Sequence, residues 1–221
     1  MKKKYIKNSN EIPGLKYFRE RALEISKKID KDYIFCEIGT RAGDSGIQLL
    51  DAIKESNKKR WLFTVDPYGD RPYRATTDMD ARGRYFDYNE QCYRNGMMTL
   101  STYAFNNDLL HYHWRMTSDE FMHSIHEENI HAIEFWYDKK KIDYKFGLVF
   151  LDGEHYEDIV LNEFEWFKDR LIDGGLIIID DIKNIWQTNY IDESDYLKFL
   201  GTIFKDGEWN VNGGKLYYLK K

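Results

Sequence analysis

Four short apolar runs, each stopped by glycine or an acidic residue, constrain this chain more than any other feature. They are YIFCEIG (33–39), RWLFTVD (60–66), GLVFLDG (147–153) and GGLIIIDD (174–181). Each is strand-sized, and the apolar character is close to continuous rather than alternating, which marks strands buried on both faces. Amphipathic stretches lie between them. In GLKYFRERALEISKKI, Leu15, Phe18, Ala22, Ile25 and Ile29 step by three and four residues, as one face of a helix does. DSGIQLLDAIKES (44–56) reads as a helix with Asp44 or Ser45 placed to cap it, and YEDIVLNEFEWFKDRL (156–171) as another. LLHYHWRM (109–116) is a further strand, followed by a helix over 118–130. Strands alternating with helices in this way predict an α/β fold, a doubly wound and mainly parallel sheet with helices on both faces.

The end of the chain departs from that rhythm. A helix is expected over 194–206, and EWNVNGGKLYYLKK reads as two strands around Asn212-Gly213-Gly214, so an antiparallel hairpin is predicted to close the sheet. At 221 residues the chain is expected to form a single domain. The stretch 67–107 is long for a connection and rich in Tyr68, Arg71, Tyr73, Arg74, Arg82, Arg84, Tyr85, Tyr88, Tyr93 and Arg94. It is expected to be a lid or substrate-binding insertion. Its arginines suit phosphate or carboxylate and its tyrosines suit bases or sugars, but a helical cap with tyrosines used for packing reads equally well.

Composition excludes several classes. There are 33 basic and 38 acidic residues, a net charge of −5, which argues against nucleic acid as a partner. No apolar run approaches the roughly 20 residues of a membrane span, and MKKKYIKNSNEIPG lacks the apolar stretch of a signal peptide. Cys36 and Cys92 make neither a disulfide framework nor a metal-ligand spacing. A soluble, cytoplasmic protein is expected, with no membrane partner and with homo-oligomerisation left open.

The glycine loop EIGTRAGDSG (37–46) lies where open α/β sheets bind ligands, beyond the carboxyl end of the first strand. No lysine follows Gly43, so it is not a phosphate loop of the Gly-x-x-x-x-Gly-Lys-Ser/Thr kind. Arg41 stands where a dinucleotide fingerprint needs its middle glycine. What remains is Glu-x-Gly-x-x-x-Gly, with Asp66 at the end of the next strand as a candidate acceptor for a ribose diol.

Here the sequence resembles the class I S-adenosylmethionine-dependent methyltransferases. EIGTRAGDS looks like their first motif and TVDPYGD like their second. GLVFLDGEHYEDIVLNEFEWFKDRLIDGGLIIIDDI looks like the fourth and fifth strands of small-molecule O-methyltransferases, in particular the branch that methylates macrolide sugars (macrocin-type). The similarity covers roughly 33–66 and 147–182. The resemblance implies a Rossmann-like, seven-stranded fold and S-adenosylmethionine as cofactor. It implies that Glu37, Gly39, Thr40, Gly43 and Ser45 lie at the methionine and ribose end and that Asp66 holds the ribose. Asp152 also joins the cofactor set, and Thr117 and Ser118 lie near the adenine.

Asp152 ends one strand, and Asp180 and Asp181 end the next. If those strands are neighbours, their carboxylates emerge at one edge, as oxygen ligands suited to Mg²⁺ or Mn²⁺. Most of the weight for a metal comes from the resemblance. The plainer alternative is that Asp152 and Asp181 cap helices, and Asp180 and Asp181 can ligate together only if the chain turns between them. Asp152 and His155 are the catalytic candidates, His155 as the base that takes the acceptor's proton. His111 and His113 share a strand face, at what the strand order suggests is a distant edge, and read as solvated; His123 and His126 read as surface. The expectation is therefore metal-assisted methyl transfer to a hydroxyl of a small molecule, a sugar or nucleotide-linked sugar first among them. The alternatives are a nicotinamide oxidoreductase and a non-catalytic protein binding a nucleotide-type ligand.

Overall fold

In the computed structural model, residues 15–30, 32–68, 90–125, 144–154, 157–181 and 206–221 are described. The chain order is α1 (Leu15–Lys28), β1 (Ile34–Ile38), α2 (Asp44–Ser56), β2 (Trp61–Val65), α3 (Glu90–Asn106), β3 (Leu110–Trp114), α4 (Ser118–Ser124), β4 (Phe146–Leu151), α5 (Glu157–Arg170), β5 (Leu171–Ile179), β6 (Gly207–Asn212) and β7 (Lys215–Lys220). The seven strands form one sheet in the order β3-β2-β1-β4-β5-β7-β6. All pairs are parallel except β5 with β7 and β6 with β7. The predicted doubly wound sheet with an antiparallel terminal hairpin is therefore what the chain forms. The expected helix over 194–206 lies outside the described residues.

Every residue of β1 and β4 is buried, as their unbroken apolar sequences require of central strands covered on both faces. Alternate side chains feed two cores. Phe35, Leu62, Leu148, Phe150, Leu176 and Ile178 pack with α1, α2 and α3 through Phe18, Ala22, Leu49, Ile53 and Leu100. Cys36, Ile38, Phe63, Val65, Val149, Leu151, Ile177 and Ile179 pack with α4 and α5 through Phe121, Val160, Phe164 and Phe167.

Three local features differ from the sequence reading. Helix α2 starts after Gly43, which is left-handed at φ 86°, and no side chain caps it, so neither Asp44 nor Ser45 fills that role. Strand β5 begins at Leu171, ahead of the expected turn at Gly174-Gly175. The two glycines sit in a bulge where Leu171 pairs with Phe146 and Leu176 with Leu148. Within 67–107, the part from Glu90 to Asn106 is the crossover helix that a parallel β2–β3 connection needs, its Leu100 and Ala104 buried in the core. That portion packs on the sheet as a structural layer; 69–89 lie outside the described residues. The hairpin turn is Gly213-Gly214, with φ 59° and 81°, a pair of positive angles that matches the twist of its strands. Among the described residues no helix is long and apolar enough to cross a membrane.

The register aligns the strand ends. Ile38 pairs with Leu151 and Leu151 with Ile179. The next residues extend the ladder, Asp152 N–H donating to the Ile38 carbonyl at 2.8 Å and Asp180 N–H to the Leu151 carbonyl at 2.9 Å. Gly39, Asp152 and Asp180 therefore leave the sheet along one edge.

Candidate active site

The loop after β1 is organised by a buried carboxylate. Asp66, 1% exposed, accepts the Thr40 and Arg41 amides on Oδ2, both at 2.9 Å, and the Tyr68 amide on Oδ1 at 2.8 Å. Two of these bonds hold the left-handed loop at Arg41 (φ 46°), and the third holds Tyr68 (φ 52°). Three of the roughly four lone-pair positions of a carboxylate are thus committed to backbone, so Asp66 is first of all the anchor of the glycine loop. The Tyr68 hydroxyl adds a bond to the Arg41 carbonyl at 2.8 Å.

Gly39 is demanded by close approach as well as by conformation. At φ +85°, a Cβ there would lie 2.1 Å from the Asp152 carbonyl oxygen. Gly39→Ala is therefore expected to cost about 2 kcal/mol or more of stability, because it combines left-handed strain with overpacking against backbone. Urea unfolding checks this; a midpoint equal to that of the wild type would show that the β1 and β4 loops need not touch.

Strand alternation sends Glu37 to the α1–α2–α3 side. It is fully buried, its Oε1 accepting the Ser45 hydroxyl and its Oε2 unpartnered, and burial lifts its pKa to about 8. The α2 backbone closes over it, since a Cβ on Gly46 would come within 3.0 Å of Oε2.

A cavity of 480 Å³ opens on the other side of the same strand ends, within the roughly 300–1,000 Å³ of small-molecule sites. Its walls are Ile38 and Gly39 after β1, Val65 and Pro67 after β2, Thr117, Ser118, Asp119 and Met122 at α4, and Gly153, Glu154, Asp158, Ile159 and Asn162 at α5. Of the residues expected at a cofactor, Gly39, Thr117 and Ser118 line it. Glu37, Thr40, Gly43, Ser45, Asp66 and Asp152 do not: they build the loop and strand ends beside it. Thr117 also caps α4 in a reciprocal capping box with Glu120, which fixes this wall.

Glu163, close behind the cavity wall, is a buried carboxylate that the sequence reading does not single out. It is 1% exposed on α5, and neither carboxyl oxygen has a hydrogen-bond partner. It lies behind the cavity wall, 4.0 Å from where a Cβ on Gly153 would be. Burial raises its pKa to about 8; the Ser118 hydroxyl offsets part of that rise without forming a regular hydrogen bond, and Glu154 adds to it. The signal was present: Glu163 falls among Val160, Phe164 and Phe167, on the apolar face of its helix.

The acidic edge is only partly as expected. Asp152 and Asp180 do come together, and the Asp152 carboxyl is pushed well above the usual carboxylate range, by burial first and Asp180 second. The chain also turns at Asp181 (φ 48°), but this leaves Asp181 exposed, its N–H donating to Asp180 Oδ1 at 2.7 Å. The other Asp180 oxygen is ion-paired with Lys215 of β7, which the sequence reading did not single out. Among the described residues no group of three His, Cys, Asp or Glu side chains is assembled to hold a metal. As arranged, the Asp152, Asp180 and Asp181 set does not fit a divalent ion, since Lys215 is ion-paired with one Asp180 oxygen, the Asp181 amide takes the other, and the Asp181 side chain is exposed. His155 lies outside the described residues.

His111 and His113 are on the edge strand β3 as expected, but they are not solvated. His111 Nε2 and His113 Nδ1 share the Thr64 hydroxyl at 3.0 and 2.9 Å, and Tyr68 and Tyr93 pack on His113 at 5.4 and 5.7 Å. Burial lowers their pKa values to about 4 and about 3, His111 contributing to the second, so both rings are neutral at pH 7. Helix α3 and Tyr68 cover this edge, which is why the pattern could not be read from strand order alone. His123 is exposed, as expected, and His126 lies outside the described residues.

A family model described as a methyltransferase domain matches residues 36–182. No curated protein matches the sequence. Among solved structures, the O-methyltransferase NovP is similar with a TM-score of 0.59 and 13% identity, over 93% of this chain and 78% of that one. The O-methyltransferase TomG from Streptomyces achromogenes, solved with SAM, gives 0.54 and 14%, over 94% and 81%. MycE of the mycinamycin pathway, solved with Mg and SAH, gives 0.52 and 11%, over 93% of this chain and 49% of that one. The seven-stranded, mainly parallel fold agrees with these matches. The chain belongs to the methyltransferase-domain family, and its fold is that of the class I S-adenosylmethionine-dependent O-methyltransferases.

Proposed function

We propose that this protein transfers the methyl group of S-adenosylmethionine to a hydroxyl of a small molecule, with a sugar as the first candidate. The observation that carries the reading is the cavity at the carboxyl ends of β1, β2 and β4, bounded by Gly39 and by the α4 start. The cofactor would lie there, its adenosine toward Pro67, Thr117 and Ser118 and its methionine toward Gly39. Glu37, Thr40, Gly43, Ser45 and Asp66 would act by holding the loop against it. In the reaction the acceptor oxygen attacks the methyl carbon as the carbon–sulfur bond breaks, the sulfonium becoming a neutral thioether and the hydroxyl proton passing to a base. Asp152, whose carboxyl is held well above the usual carboxylate range by burial and Asp180, and His155, three residues on, would manage that proton. Holding donor and acceptor in line supplies much of the remaining rate. The metal-assisted version has no support in the arrangement of the three aspartates.

MycE, solved elsewhere with mycinamycin VI, supports a small-molecule acceptor; the sugar reading rests on the likeness to macrocin-type sequences. A nucleotide-linked sugar rests on the arginines of 67–107. Of the residues there that are described, Tyr68 is buried against Tyr93, and Arg94 pairs with Glu90. The experiment is a thermal-shift comparison followed by a methyl-transfer assay over a sugar panel. S-adenosylhomocysteine is expected to raise the melting temperature and NAD to leave it unchanged. The reverse result would favour the oxidoreductase reading, and cofactor binding without turnover on any acceptor the binding-protein reading.

A further inference from the structure

The β5–β7 register places a cation at the acidic edge. Ile179 pairs with Leu216, so one step further out Asp180 faces Lys215 across the antiparallel ladder. Their side chains form an ion pair in which Lys215 is 13% and Asp180 17% exposed, far more enclosed than a surface pair. The ammonium also lies 5.2 Å from the centre of the Phe150 ring, so an aromatic face holds it from a second strand. Its charge reaches Asp152, where it opposes the effects of burial and Asp180. With Asp180 Oδ1 taken by the Asp181 amide, both Asp180 oxygens have partners within the chain.

We propose that Lys215 is the resident cation of this centre, compensating Asp152 and Asp180 from β7 in the place where a divalent ion would otherwise be drawn. The inference rests on the methyltransferase reading only for what the centre is used for; the charge arrangement stands without it. A fixed ammonium ion-paired with Asp180 and within electrostatic reach of Asp152 offsets their negative charge and repels a second cation. Mg²⁺ and Mn²⁺ prefer hard oxygen donors with no competing positive charge. The lysine would thus hold the carboxylates in place and keep the edge metal-free.

The test is Mn²⁺ binding, followed by loss of the free-ion electron paramagnetic resonance signal, which needs no turnover. The full-length wild type is expected to show no saturable binding that Asp180→Asn removes. Lys215→Met, which keeps length and apolar contact, is expected to bind Mn²⁺ at least about tenfold more tightly than wild type, and Lys215→Arg, which keeps the charge, to behave as wild type. Saturable binding by the wild type that is lost in Asp180→Asn would overturn the proposal, whatever the fate of Lys215→Met. Equal binding by wild type and a folded Lys215→Met would overturn it too. Calorimetry with S-adenosylhomocysteine on the same preparations reports separately on the cofactor reading, so failure there leaves the Mn²⁺ result to decide the role of Lys215.

Discussion

Asp66→Ala is expected to lower stability by about 3–5 kcal/mol and to weaken S-adenosylhomocysteine binding by at least about a hundredfold. Three backbone amides, of Thr40, Arg41 and Tyr68, lose their acceptor at once, and bonds to an ionised carboxylate are the stronger kind. The residue is 1% exposed, so little water can take its place. The loop conformation at Arg41 would then lack its tether, and a ligand would have to order the loop on binding. Asp66→Asn, with one acceptor oxygen left, is expected to fall between. Urea unfolding and calorimetry separate the two effects. Lost affinity with unchanged stability would point to direct ribose contact as the dominant role; intact affinity would remove Asp66 from the site altogether.

The second large effect is on the pH dependence of stability. Glu163 has a folded-state pKa of about 8, against 4.5 for an ordinary glutamate. Between those values the folded protein holds a proton that the unfolded chain has released. Stability from this group is therefore greatest below about pH 4.5, declines as pH rises, and levels off above about pH 8. The slope approaches 1.4 kcal/mol per pH unit, a total of a few kcal/mol. Glu163→Gln keeps the shape and removes the titration. Relative to wild type, the variant should gain stability steadily from pH 5.5 to pH 8. Burial of the amide adds an offset that does not vary with pH and leaves the slope intact. Glu37 titrates in the same direction in both proteins, so it cancels in the difference. Parallel stability curves for the two proteins would mean that Glu163 titrates alike in the folded and unfolded chain and is ionised at neutral pH.

What could be read from the sequence follows the physics of each element. Helix α2 was bounded correctly at Asp44–Ser56, and the strands were found, because periodicity and unbroken apolar runs are local properties. The glycine loop was legible because Gly39 and Gly43 both need left-handed backbone. The convergence of Asp152 and Asp180 followed from β4 and β5 being neighbours.

Side-chain partners across elements were not legible. Nothing local says that Asp66 spends its oxygens on amides about 25 residues back along the chain. Lys215 reaches Asp180 only through the pairing of β7 with β5, strands far apart in the chain. The histidine pair was misjudged because an edge strand is solvated only if nothing covers it, and α3 with Tyr68 and Tyr93 does. Glu163 carries a mark that is readable in the sequence, a carboxylate on an apolar helix face.

The cavity beyond β1, β2 and β4 is where the methyl donor is expected to sit. The most direct measurement is a crystal structure of the protein grown with S-adenosylhomocysteine. Density for the ligand is expected in this cavity, the adenine between Pro67 and Thr117–Ser118 and the amino-acid end at Gly39. Density in another part of the molecule, or a cavity still empty at saturating ligand, would contradict it.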